Sequence, residues 1–200
     1  MSSIASQKIV LASNNTGKIQ EIQTIFQNYQ IVPQSSFAIS EIAETGTTFV
    51  ENALLKARHA ARQSGCAAIA DDSGLMVDAL DGQPGIYSAR YAHPQASDNE
   101  NIHRLLKALT DVTIEHRQAQ FVCVLVFLRE AQDPLPLIAQ GIWRGRILQQ
   151  PIGEFGFGYD PIFAAEGYEV SVAQLPFTLK NQLSHRAQAL KQLQQLFVEQ

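Results

Sequence analysis

The sequence predicts an α/β fold, and three features carry that expectation. Apolar strand-like runs alternate with amphipathic helix-like segments through the first half of the chain, the pattern that builds sheets with crossover helices. Within it, IVLASNNTGK (Ile9–Lys18) passes from an apolar run into a polar cluster and on into IQEIQTIF, which reads as strand, turn and helix. Phe121–Leu128 is apolar throughout and rich in Val, as expected of a central strand covered on both faces.

Taken in order, Lys8–Ala12 is the first strand, and Ile19, Ile22, Ile25 and Phe26 place an apolar stripe on the first helix. Thr48–Arg62 is the second helix. Phe49, Val50, Ala53, Leu54, Ala57 and Ala61 share one face there, and Thr48 and Glu51 have the T-x-x-E spacing of a capping box, which makes Glu51 structural. Ala67–Gly74, AAIADDSG, is a small-residue strand expected to end in two carboxylates at a tight turn. Asp98 is the expected cap of a third helix carrying Ile102, Leu105, Leu106 and Leu109. Leu137–Leu148 follows as a strand or hairpin, with Gly141 and Gly145 as places for a bulge or turn. Gly153–Pro161 is a Gly-rich aromatic loop, and a last helix starting near Ser184 turns Leu183, Ala187, Leu190, Leu193 and Phe197 inward.

At 200 residues with 46% hydrophobic content the chain can bury a substantial core, and a prior of about 100–200 residues per domain fits a single domain over residues 1–200. Fifteen Lys and Arg against 19 Asp and Glu give a net charge of −4, which argues against a general nucleic-acid binder and leaves room for a nucleotide ligand. No window approaches the roughly 18 consecutive apolar residues of a membrane span. The N-terminal MSSIASQK has no apolar export region, so a cytoplasmic protein is expected. Cys66 and Cys123 are the only cysteines and are far apart, which indicates no disulfide framework or structural zinc and makes both small core residues.

Four constellations point to chemistry. In Ser13–Lys18, backbone amides, a helix N-terminus and the Lys18 ammonium suit phosphate; the plainer alternative is that Ser13, Asn14 or Asn15 simply caps the helix. It is no Walker A loop, since Gly17-Lys18 is followed by Ile19. Asp71 and Asp72, followed by Ser73-Gly74, are hard oxygen donors of the kind Mg²⁺ takes together with substrate phosphates, unless they only bond a turn. Glu44 in the polar AETG segment is a second carboxylate for the same cation. Lys56, between Leu55 and Ala57, has the pattern of a surface lysine whose stem covers apolar neighbours.

In FGFGYDP, glycines permit close backbone approach, and Phe157 and Tyr159 offer rings on which a base could stack or which anchor the loop in the core. Lys180, His185 and Arg186 bring donors to the start of the last helix, where the dipole disfavours a cation. Either an acceptor-rich ligand or a salt bridge to a carboxylate accounts for that.

Together SNNTGK, ETGTTFVENALLKA, ADDSGL, PGIYSARY, GFGYDPIF and the terminal K-x-x-x-SHR resemble the non-canonical purine nucleoside triphosphate pyrophosphatases in order and spacing, from about Ile9 to Leu196. The resemblance implies an elongated, two-lobed α/β fold around a central mixed sheet, an active-site cleft between the lobes, and a homodimer. It matches Ser13, Asn14, Asn15, Thr16, Gly17 and Lys18 to the phosphate loop, Glu44 and Asp72 to Mg²⁺ ligands, and Asp72 also to the proton acceptor. Ser73, Phe157, Gly158, Tyr159, Asp160, Lys180, His185 and Arg186 match substrate-binding positions, and Lys56 one that binds substrate in some relatives. The chain departs from the family at Gln174 and Leu179, where acids are usual, and this bears on the geometry around Lys180.

The reaction so implied is hydrolysis of inosine, deoxyinosine or xanthosine triphosphate to the monophosphate and pyrophosphate, which removes deaminated purines from the nucleotide pool. Two alternatives remain open on sequence: a pyrimidine-directed nucleotide pyrophosphatase of related fold, and a nucleotide-binding sensor without turnover.

Overall fold

The elements follow in the order β1 (Lys8–Leu11), α1 (Thr16–Ile25), β2 (Gln30–Pro33), α2 (Phe49–Ser64), β3 (Ala67–Val77), α3 (Asp98–Ala108), β4 (Gln118–Leu128), β5 (Leu137–Ile147), β6 (Phe163–Ala165), α4 (Phe177–Leu183) and α5 (His185–Val198). The computed structural model describes residues 8–198. The N-terminal MSSIASQ and the side chain of Ile25, expected on the stripe of α1, lie outside the described residues.

The strands make a six-stranded sheet in the order β2-β1-β3-β4-β5-β6. β1 runs parallel to β2 and to β3, as strands joined through helical crossovers must, whereas β5 and β6 are antiparallel. The sheet is therefore mixed. β3 and β4 are its middle strands, and every residue from Phe121 to Leu128 is buried.

Two compact units divide the chain. The first comprises Met1–Asp72, Cys123–Gln140 and Ala187–Gln200, and the second Ser73–Val122 and Gly141–Arg186. The first has a core of Ile9 and Leu11 from β1, Ile22 and Phe26 from α1, Ile69, Leu125 and Phe127 from the middle strands, and Leu190, Leu193 and Phe197 from α5. Phe127 and Phe197 meet edge to face at 4.5 Å. The second unit buries Leu75, Val77, Ile102, Leu105, Phe121, Trp143 and Phe163, with Phe121 and Phe163 4.6 Å apart. Among the described residues, no helix is long and apolar enough to cross a membrane.

Several boundaries differ from expectation for identifiable reasons. β3 does not end at Asp71-Asp72 in a tight turn but runs on to Val77. Leu75 and Val77 continue the strand into the second core, and the Leu75 amide donates to the buried Ser88 hydroxyl at 2.9 Å. Ser97, not Asp98, caps α3, and with Glu100 it forms a capping box. Leu183 lies in α4, a short helix not anticipated, and Ser184 closes it by donating its amide to the Lys180 carbonyl. Cys123 is buried as expected, but Cys66 is only half-buried, because it follows the turn at Gly65 that ends α2.

β5 is one continuous strand, and Gly145 marks a close approach rather than a turn. A Cβ there would lie 2.2 Å from the Ala164 carbonyl oxygen of β6. Gly145→Ala should therefore force β5 and β6 apart, at the roughly 1–3 kcal/mol typical of overpacking. A melting temperature unchanged within a degree would contradict this.

Candidate active site

The residues expected at the phosphate loop form the entry to α1. Asn15 is the cap: its side-chain oxygen accepts from the Lys18 amide at 3.0 Å, while its own amide donates to the Ser13 hydroxyl at 3.1 Å. Asn14 donates to Glu41 at 3.2 Å. Asn14, Asn15 and Thr16 are exposed, and Gly17 and Lys18 are half-buried. The capping role is thus realised at Asn15, and it leaves the helix N-terminus open to solvent.

Because successive strand residues point to opposite faces, Asp71 and Asp72 serve different neighbours. Asp71 forms an ion pair with the Lys18 ammonium and accepts from the Cys123 thiol at 3.1 Å. Asp72 accepts from Lys56 Nζ at 2.6 Å through Oδ1, and the same ammonium donates to Glu44 Oε1 at 2.8 Å. Lys56 is therefore no surface lysine; its side chain is 16% exposed. It holds a half-buried position on α2, and its charge is satisfied by the two carboxylates.

Burial, with Glu44 and Asp71 nearby, pushes the Asp72 carboxyl up to about 6 despite the attraction of Lys56. Burial works against the Lys56 ammonium, but Asp72 and Glu44 outweigh it and hold its pKa above the ordinary lysine value. The second oxygen of Asp72, Oδ2, is buried without a hydrogen-bond partner.

Two residues that the sequence reading missed fix the Glu44 segment. Asn52, fully buried on α2, accepts from the Gly46 amide at 2.8 Å. A Cβ on Gly46 would fall 2.6 Å from the Glu51 Cβ and 2.8 Å from Asn52 Oδ1, so only glycine lets the chain lie this close to α2. The expected capping box of Thr48 and Glu51 is present beside it. A buried Asn amid Ala residues on a helix was the available signal, since buried amides need partners.

These donors fit a hard divalent cation. Among the described residues no group of three or more His, Cys, Asp and Glu side chains gathers as a metal cage, and Mg²⁺ rarely needs one: it takes one or two carboxylates and completes its shell with water and phosphate oxygens. Glu44 and Asp72 supply such a pair, and the unpartnered Oδ2 of Asp72 is an acceptor in want of a partner.

The remaining predicted residues belong to the second unit. Ser73 accepts at 3.4 Å from the Arg186 guanidinium, which is itself buried. Asp160 and Lys180 form a buried ion pair at 2.6 Å, and Asp160 also accepts from the Phe157 amide at 3.0 Å. The Phe157 ring lies 4.4 Å from Lys180 Nζ and 5.8 Å from the Arg186 guanidinium. His185 stacks on Phe121, ring centroids 4.8 Å apart, and the Gly158 amide donates to Asp98 at 2.6 Å. The salt-bridge reading therefore holds for Lys180, with Asp160 as its carboxylate. Tyr159 offers no stacking face: it is buried in the second core and its hydroxyl donates to the Ser88 carbonyl.

The departures at Gln174 and Leu179 are absorbed locally. Gln174 completes a capping box with Ser171, and Leu179 packs on the second core.

The sequence model of the Ham1 family covers residues 9–196. The chain is 57% identical over 185 residues to a dITP/XTP pyrophosphatase of Methylococcus capsulatus, spanning 92% of each, and 54% identical over 189 residues to one of Vibrio vulnificus, spanning 94% of each. Among solved structures it is similar to a HAM1 protein from Coxiella burnetii, with a TM-score of 0.90, 46% identity and coverage of 97% and 100% of the two chains. The Ham1 protein of Staphylococcus aureus follows at a TM-score of 0.86 and 45% identity, with coverage of 96% and 98%. The similarity extends over nearly the full length and includes the fold, and the chain belongs to the Ham1 family.

Proposed function

We propose that this chain is a Mg²⁺-dependent pyrophosphohydrolase that converts ITP, dITP and XTP to the monophosphate and pyrophosphate. The cluster of Glu44, Lys56 and Asp72 carries this reading, because it sets a buried carboxylate oxygen without a partner beside a second acid and a cation. Glu44 and Asp72 would hold Mg²⁺, which supplies neutralisation of phosphate charge. Asp72 would orient the water that attacks the α-phosphorus and accept its proton, while the bond from that phosphorus to the bridging oxygen breaks and pyrophosphate departs. The Ser13–Gly17 segment at the N-terminus of α1 and the Lys18 ammonium would bind the phosphate chain. Phosphoryl chemistry leaves the protein mainly positioning and electrostatics to supply, and these groups supply both.

Base choice is assigned to the second unit. Hypoxanthine and xanthine carry an acceptor oxygen where adenine carries a donor amine, and Lys180, His185 and Arg186 bring donors, with Ser73, Gly158 and Phe157 as further substrate contacts. Each donor left unpaired against the wrong base costs on the order of 1–3 kcal/mol. Residues 1–200 would act as one functional domain, in the cytoplasm and as a homodimer, on free nucleotides and not on nucleic acid; the acidic charge balance supports the last point.

The test is pyrophosphate release from ITP, dITP, XTP, ATP, GTP and modified pyrimidine triphosphates, with and without Mg²⁺. Selective, Mg²⁺-dependent release from the inosine and xanthosine nucleotides is expected. Diphosphate and inorganic phosphate as main products would place attack at the γ-phosphorus and refute the mechanism. A pyrimidine preference, or binding without turnover, would refute the function.

A further inference from the structure

Lys56 already occupies the two carboxylates assigned to the metal. Its ammonium lies 2.8 Å from Glu44 Oε1 and 2.6 Å from Asp72 Oδ1, and the side chain is largely buried. A carboxylate pair holding an ammonium offers a divalent cation only part of its charge, and the lone pairs facing the lysine are taken. A bare departure of Lys56 is unfavourable, since it would strand buried charges on both sides. Departure becomes favourable only as an exchange in which the carboxylates gain a metal and the ammonium gains another anion.

We propose that Lys56 is a resident counter-ion of the metal site, which holds Glu44 and Asp72 together in the free protein and leaves them when a triphosphate draws the ammonium away. This rests on the assignment of the metal to Glu44 and Asp72. Metal loading is then coupled to substrate loading: the protein alone binds the cation weakly, and nucleotide and cation each raise the affinity for the other, as reciprocal linkage requires. Asp72 Oδ2, buried and free of the lysine, is the acceptor from which the exchange can begin. The four-carbon stem of a lysine gives the ammonium reach without a backbone shift.

Mn²⁺ is the metal probe, with binding to the full chain read from the free Mn²⁺ resonance signal in the absence of nucleotide. Lys56→Gln and Lys56→Met, each checked for a cooperative melt, should bind Mn²⁺ at least tenfold more tightly than wild type, whereas Lys56→Arg, which keeps the charge, should stay weak. In EDTA, the same neutral variants should bind the non-hydrolysable α,β-methylene analogue of inosine triphosphate about tenfold more weakly. Unchanged or weaker Mn²⁺ binding in the folded neutral variants, or unchanged analogue binding, overturns the counter-ion role. The underlying site assignment is tested separately by adding Glu44→Gln to Lys56→Gln. Loss of the tightened Mn²⁺ binding supports the site, and its persistence shows that the metal lies elsewhere.

Discussion

Asp72→Asn should lower kcat by at least the roughly 10²-fold typical of lost general-base help without unfolding the protein. Asparagine keeps the shape and one acceptor for Lys56 but loses the charge and the second carboxylate oxygen. Stability should move the other way. The folded state holds the Asp72 carboxyl up at about 6, above the ordinary value near 3.9, so it favours the neutral group. Such a carboxyl contributes stability that is full below the unfolded pKa and is lost as pH rises through about 6. In EDTA the asparagine variant should thus melt no lower than wild type at pH 8, and the difference between them should close towards pH 4. A kcat within tenfold of wild type would remove Asp72 from the chemistry, and a collapse in melting temperature at pH 8 would make it a structural anion.

Much of this arrangement was legible in the sequence because the signals were local. Alternation and the apolar run Phe121–Leu128 foretold the sheet and its buried middle strand, and T-x-x-E at Thr48 foretold a capping box that is present in full. The opposed roles of Asp71 and Asp72 follow from strand geometry alone. What was not legible depends on partners distant in sequence. Lys56 has the local pattern of a surface lysine, and only the fold brings Glu44 and Asp72 to it. Tyr159 sits in a loop whose glycines suggest access, yet its hydroxyl finds the carbonyl of Ser88, 71 residues away. The strand end expected at Asp72 failed because Ser73-Gly74 is a turn signal only where no core claims the next residues, and Leu75 and Val77 are claimed. The short helix α4 carries no periodic stripe long enough to announce it.

Lys180→Met should cost about 3–5 kcal/mol of stability, the range for breaking a buried ion pair by removing one partner, because Asp160 would be left charged and buried. For a chain of this length that amounts to roughly 6–20 °C in melting temperature. Loss of activity in this variant alone would be ambiguous, since the Asp160 carboxylate also holds the Phe157 amide and a displaced loop would harm binding by itself. The double variant Asp160→Asn/Lys180→Met separates the two roles. Asparagine removes the stranded charge and still accepts from the Phe157 amide, so stability should return in large part, and the two changes should be markedly non-additive, as for residues in direct contact. If Lys180 also donates to the purine, kcat/KM for inosine triphosphate should stay depressed in the stable double variant by the 1.5–3 kcal/mol of a hydrogen bond involving a charged group, roughly tenfold to a hundredfold. GTP, expected to be a poor substrate, should lose less. Full recovery of kcat/KM together with stability would make Lys180 the partner of Asp160 alone and leave base recognition to His185 and Arg186.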